Sequence, residues 1–196
     1  MIEQIELLDQ QIFVFLNSLH YSFLDPLMYA FSGKLIWAPL YLTILLYIAL
    51  KRGTKEFFII LLFILFAVLL ADRGSVMIKN LVQRLRPCHE PSLDGLVYLV
   101  KGECGGMYSF VSSHAANSFN VALISLMFIR KRWYTMVILL WALVVGYTRI
   151  YLGVHYPGDV LFGSIYGAFV GWFVYELYVL YFKRRTREQK PGELKS

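Results

Sequence analysis

The sequence predicts an all-α integral membrane protein, with five or six transmembrane helices in a bundle and an N-terminal amphipathic helix in the membrane interface. Three observations lead there. The mean hydropathy is +0.57. Of the 196 residues, 58% are hydrophobic and 16% are charged, whereas a soluble domain carries about 25% charged residues. The apolar residues also gather into runs close to the roughly 20 residues that one helical crossing needs. A chain of this length is expected to form one domain. Residues 1–182 form its membrane-embedded part, and 183–196 a polar cytoplasmic tail.

Taken in order, the opening "MIEQIELLDQ" is acidic and lacks the basic start of a signal peptide. Insertion is therefore expected to come from the spans themselves. Residues 10–33 are apolar but interrupted by Asn17, His20, Asp25 and Pro26. An interfacial helix-turn-helix suits that pattern better than a sixth span. Five spans are expected near 35–50, 56–78, 114–130, 133–152 and 159–182. The final "KRRTREQKPGELKS" is polar and is expected to be disordered.

The basic residues orient this arrangement. Lys51, Arg52 and Lys55 follow the first span; Arg130, Lys131 and Arg132 separate the third and fourth; Lys183, Arg184, Arg185, Arg187, Lys190 and Lys195 follow the fifth. With five spans all three groups fall on one side, which the positive-inside rule makes cytoplasmic. The net charge of +6 is thus topological and gives no support to nucleic-acid binding. Lys34, Arg73, Lys79, Arg84, Arg86, Lys101 and Arg149 lie on the opposite side or at span ends facing it. Cations there are costly and call for an anionic partner. Both cysteines, Cys88 and Cys104, sit in the long outer loop, where an oxidising compartment lets them pair.

Three polar clusters share that outer face. In "KNLVQRLRP" (79–87), Lys79 and Arg86 stand two helical turns apart and can project from one face before Pro87 stops the helix. They suit a phosphate, as a point charge and a planar fork, or they snorkel to the interface. In "FVSSHAANSF" (110–119), Ser112 or Ser113 makes a helix N-cap, and the free N–H groups behind it favour an anion. His114 adds an acid–base group there, or is simply structural. In "TRIYLGVHYPGD" (148–159), Arg149 ends one helix while His155 and Asp159 open the next. A carboxylate that accepts the imidazole N–H fixes the tautomer and frees the other nitrogen to attack; the alternative is an ion pair that only fastens a turn.

These residues resemble the three-part signature of the type 2 phosphatidic acid phosphatase superfamily: Lys-x6-Arg-Pro, Pro-Ser-Gly-His and Ser-Arg-x5-His-x3-Asp. The first part matches in full. In the second, Val111 stands for Pro and Ser113 for Gly; in the third, Thr148 stands for Ser. The likeness runs over about 35–182 and implies a lipid phosphate phosphatase. It implies that His155 attacks phosphorus, that Asp159 orients it, and that His114 protonates the leaving oxygen and then activates water. Lys79, Arg86, Arg149, Ser112 and the Ser113 N–H would hold the phosphoryl oxygens. No metal or other cofactor is expected, because basic side chains supply the charge neutralisation that phosphoryl transfer needs.

The partners expected are the bilayer and a lipid phosphate. Undecaprenyl diphosphate stands first and a lipid A phosphate close behind, with phosphatidylglycerol phosphate and phosphatidic acid after them. The location expected is a bacterial inner membrane with the site on its periplasmic face. A lipid phosphotransferase using the same phosphohistidine is the rival chemistry, and a non-catalytic scaffold a lesser one. Asp72 and Arg73 are read as helix-end polarity and Asn117 as structural.

Overall fold

The computed structural model describes residues 2–189. It contains seven α-helices: α1 (Ile2–Ser18), α2 (Asp25–Ser32), α3 (Ala38–Lys51), α4 (Thr54–Val82), α5 (Ser113–Ile129), α6 (Arg132–Tyr151) and α7 (Pro157–Gln189). Among the described residues there is no β-strand; a single bridge joins Leu85 to Tyr108 in the long loop between α4 and α5.

Local chemistry explains the breaks. Pro26 opens α2, where a missing N–H costs nothing, and Pro157 opens α7. Gln83 and Arg130 take left-handed φ values of 55° and 45° at the ends of α4 and α5. Gly153 (φ 79°) joins α6 to α7, and a Cβ there would lie 2.5 Å from the Tyr98 carbonyl. Glycine is what lets the outer loop close onto that turn.

The α4, α6 and α7 helices are long and apolar enough to cross a bilayer. A short 3-10 turn, Leu35–Trp37, links α2 to α3, and the pair counts as a fourth crossing only with a bend of 75°. The segment expected as a span near 35–50 is the Leu35–Lys51 arm of that pair, and the bend lies ahead of it, between Ser32 and Leu35. At 17 residues α5 is about 26 Å long, short of the roughly 30 Å hydrocarbon core.

Two further boundaries differ from expectation. α1 starts at Ile2, and α7 runs on to Gln189 through residues assigned to the tail. Lys, Arg, Glu and Gln are good helix formers, so polarity alone does not end a helix. Residues 190–196 of the expected tail lie outside the described residues.

The centre of the bundle is α5 packed on α7. Gly163, Gly167 and Gly171 recur every fourth residue of α7 against Ser112, Ala116 and Asn120 of α5. A Cβ at Gly163 would stand 2.6 Å from the Ser112 carbonyl, one at Gly171 2.9 Å from that of Asn120, and one at Gly167 would collide with that of Ala116. Small residues at this spacing bring two membrane helices into backbone contact.

The polar interruptions of 10–33 anchor rather than break. Asn17 is 1% exposed; its amide donates to the carbonyls of Tyr98, Ile150 and Tyr151 and accepts from the Tyr98 N–H at 2.8 Å. His20 stacks on the Tyr98 ring, and Asp25 accepts from the hydroxyls of Tyr98 and Tyr151. With buried Phe13 they fix α1 and α2 against the C-terminal end of α6 and the N-terminal end of α7. Ile5, Leu8, Ile12 and Phe15 remain exposed along the other side of α1.

Candidate active site

The site begins at the turn into α7. Asp159 is fully buried, and its Oδ2 accepts the Tyr156 N–H at 2.9 Å and faces His155 Nδ1 at 3.4 Å. That contact leaves Nε2 as the nitrogen carrying the lone pair. His155 is 1% exposed. Burial, then the charges of Arg149, Lys79 and Arg86, hold its pKa well below the ordinary imidazole value. Burial and these charges favour the neutral imidazole.

Each of those three cations is steered by a different element. Lys79, in the last turn of α4, donates through Nζ to Ser109 O at 3.1 Å and to Val111 O. Arg86, past the end of that helix, donates through Nε to Tyr108 O at 3.3 Å and through Nη1 to Cys104 O at 2.8 Å. Arg149, in the last turn of α6, donates through Nη1 to the Ser32 hydroxyl, while its buried Nε has no partner. Carbonyls and hydroxyls orient these side chains without neutralising them, so the pocket stays positive. Cys88 and Cys104 are joined in a disulfide, with their Cα atoms 6.0 Å apart.

The start of α5 forms the third wall. Ser112 caps the helix, its Oγ accepting from Ala115 N–H at 3.4 Å. Its own N–H is engaged by the Asp159 carbonyl at 2.9 Å, so this bond ties the α5 start to the α7 start. The first helical bond runs from Ala116 N–H to Ser112 O, which leaves the Ser113 and His114 amides in the unpaired first turn. The Ser113 hydroxyl accepts from Ser75 at 2.8 Å. His114 lines a cavity of about 570 Å³ that continues between α3, α4, α5 and α6 along apolar walls.

His155 thus pairs with Asp159 within the electrostatic reach of Arg149, Lys79 and Arg86, and Ser112, Ser113 and His114 lie at the α5 start that the Ser112–Asp159 bond ties to the same turn. The structure also adds a group that the sequence did not single out. Arg84 Nη1 donates to Asp159 Oδ1 at 3.1 Å and to Asp9 Oδ2 at 2.8 Å, and Asp9 Oδ1 accepts the Gly158 N–H at 2.8 Å. Burial opposes the charge on Arg84, but Asp159 and Asp9 outweigh it and hold the pKa above its ordinary value. The signal was present in the surplus of outer cations. For Arg84 the anionic partner belongs to the chain itself.

Comparison with known proteins adds a separate line of observation. The PAP2 superfamily matches residues 57–183. The chain is 44% identical over 178 residues to a lipid A 4'-phosphatase of Bacteroides thetaiotaomicron, across 89% of this chain and 79% of that one. It is 35% identical over 174 residues to a lipid A 4'-phosphatase of Porphyromonas gingivalis, across 87% and 73%. The crystal structure of Aquifex aeolicus LpxE matches with a TM-score of 0.67 at 25% identity, covering 85% of this chain and 93% of that one.

Proposed function

The chain belongs to the PAP2 superfamily and is a membrane lipid phosphatase, and from that premise we propose that it removes phosphate from lipid A or a close saccharide lipid, through a phosphohistidine and without a metal. The observation that carries the chemistry is the buried His155–Asp159 pair beside Lys79, Arg86 and Arg149, which form no ion pair among the described residues.

In the first half-reaction His155 Nε2 attacks phosphorus and the P–O bond to the lipid breaks. His114 gives its proton to the departing oxygen. In the second, His114 takes a proton from water, the hydroxide oxygen attacks phosphorus, the N–P bond breaks and phosphate leaves. Lys79, Arg86 and Arg149 hold the phosphoryl oxygens throughout, with the Ser113 amide and Ser112 at the helix start. Positioning and charge neutralisation are what a loose phosphoryl-transfer transition state needs.

Two relatives that are lipid A 4'-phosphatases move that substrate ahead of undecaprenyl diphosphate, which the sequence alone put first. The location that goes with this reading is a bacterial inner membrane. In this reading α4, α6 and α7, the bent α2–α3 pair and the shorter α5 make five crossings, α1 lies in the interface, and the site opens on the periplasmic face. The basic groups at 51–55, 130–132 and beyond 183 support that orientation.

The test is phosphate release by the purified protein in detergent with EDTA present. The lipids are lipid A, undecaprenyl diphosphate, phosphatidylglycerol phosphate and phosphatidic acid, with His155→Ala as control. Release from lipid A that disappears in the variant upholds the reading. Release from none of the four by a folded protein overturns it.

A further inference from the structure

One pair of polar side chains in the cavity is not used by the chemistry above. Asp72 lies on α4 one turn before Ser75, and Asn117 lies on α5 one turn past His114. Asn117 Nδ2 donates to Asp72 Oδ1 at 3.0 Å. The Asn117 Oδ1 is buried without a partner, and among the described residues no bond reaches the second oxygen of Asp72. Both side chains line the cavity that holds His114, whose deeper walls are apolar, with Ile44, Leu65, Leu69 and Val121. Lys34 stands on the same lining, yet no ion pair joins it to Asp72 among the described residues. An acidic side chain set inside a membrane helix and half-satisfied is expensive, and such positions mark substrate paths.

We propose that Asp72 and Asn117 are specificity-determining residues that accept hydrogen bonds from hydroxyl or amide groups on the phosphate-bearing unit of the lipid, and so select a saccharide lipid monophosphate. This rests on the phosphatase reading and deepens it. His114 serves the leaving oxygen, so the rest of the lipid departs from phosphorus past His114 and into this cavity. One helical turn deeper, about 5 Å along the axis, it meets the free oxygens of Asp72 and Asn117. A sugar offers hydroxyl and amide donors at that distance from its phosphate. A polyprenyl diphosphate offers none there and brings its second phosphate towards a carboxylate, a like-charge contact that works against it. The apolar walls below then receive a hydrocarbon chain.

The experiment measures kcat and KM for the full-length protein in detergent on lipid A, undecaprenyl diphosphate and hexadecyl phosphate, which has no donor beyond its phosphate. The variants are Asp72→Asn, Asp72→Ala and Asn117→Ala. For Asp72→Ala, kcat/KM on lipid A relative to hexadecyl phosphate falls about tenfold or more, as losing one charge-assisted hydrogen bond implies. Relative turnover of undecaprenyl diphosphate rises in the same variant. Asp72→Asn, which keeps an acceptor without the charge, retains part of the lipid A preference and still gains on the diphosphate. Equal losses on all three substrates would show that the pair only supports the fold, and overturn the inference. Wild-type turnover of the other two lipids but not lipid A would overturn it while leaving the phosphatase intact. Turnover of no lipid by the wild type would overturn both.

Discussion

Asp9 and Asp159 share one guanidinium nitrogen of Arg84, at 2.8 Å and 3.1 Å. One carboxylate lies on α1, the other in the first turn of α7, and the second is the partner of His155. In the proposed mechanism Arg84 is a positioning residue, acting on His155 through Asp159.

Arg84→Ala leaves a buried carboxylate without its counter-charge, a change that costs about 3–5 kcal/mol when a buried pair loses one member. The expected result is a lower Tm and a kcat reduced at least tenfold, with a smaller effect on KM. Asp9→Ala has the same direction and a smaller size, because Arg84 keeps Asp159. The double variant loses less than the sum of the two, as a double-mutant cycle would record for groups in one network. Strict additivity would separate Asp9 from the catalytic pair.

The neutral state of His155 carries a pH dependence. Its pKa is lowered in the folded protein, so below about pH 6.5 the unfolded chain binds a proton that the folded one does not. By this group, stability rises with pH through that window and is lost on acidification. The Tm of the wild type is expected to fall between pH 7.5 and pH 5. For a folded His155→Gln variant it should fall less. Equal slopes would remove His155 as the cause.

Loss of a phosphate-holding cation is expected to slow the reaction without unfolding the bundle. Arg149→Ala should lower kcat by about 10²–10³, the range seen when one stabilising donor is removed from a transition state. Arg149→Lys should recover little of this, since a point charge does not replace the planar fork. Circular dichroism and thermal melting would establish that both variants remain folded. Wild-type rates in either would take Arg149 out of the site.

The helix contact at the centre is equally open to test. Gly167→Leu places a branched side chain where even a Cβ meets the Ala116 carbonyl, and is expected to abolish both folding and activity. Gly53→Ala, where a Cβ meets nothing within 4 Å, should keep both. Expression, melting temperature and phosphate release would read the difference.

Much of the site was legible because its chemistry is local. His155 and Asp159 stand four residues apart across the turn into α7, a spacing that lets them pair. Lys79 and Arg86 were expected on one helical face up to Pro87, but α4 ends at Val82 and Gln83 turns the chain, so Arg86 acts from the loop. The roles of Arg84 and Asp9 were not legible, because the contact spans 75 residues and depends on where α1 docks. The bend between α2 and α3 was hidden for a similar reason. Apolar composition records that a segment prefers lipid, but not the angle at which Gly33 and the following turn redirect it. Asn17 shows the same limit from the other side, since a polar residue read as an interruption is a buried tether.

The glycine stripe also separates two kinds of change that the protein can undergo. Asp159 and the Ser112–His114 segment are mounted where α5 and α7 touch backbone to backbone, a joint with no spare volume. The cavity that would receive the rest of the lipid is walled by α3, α4, α5 and α6, and α7 contributes nothing to its lining. Walls of Leu, Ile, Val and Tyr can be exchanged one for another at modest cost. Descendants of this chain could therefore trade one lipid for another by altering α3 and the cavity-facing part of α4 while the α5–α7 joint stays fixed.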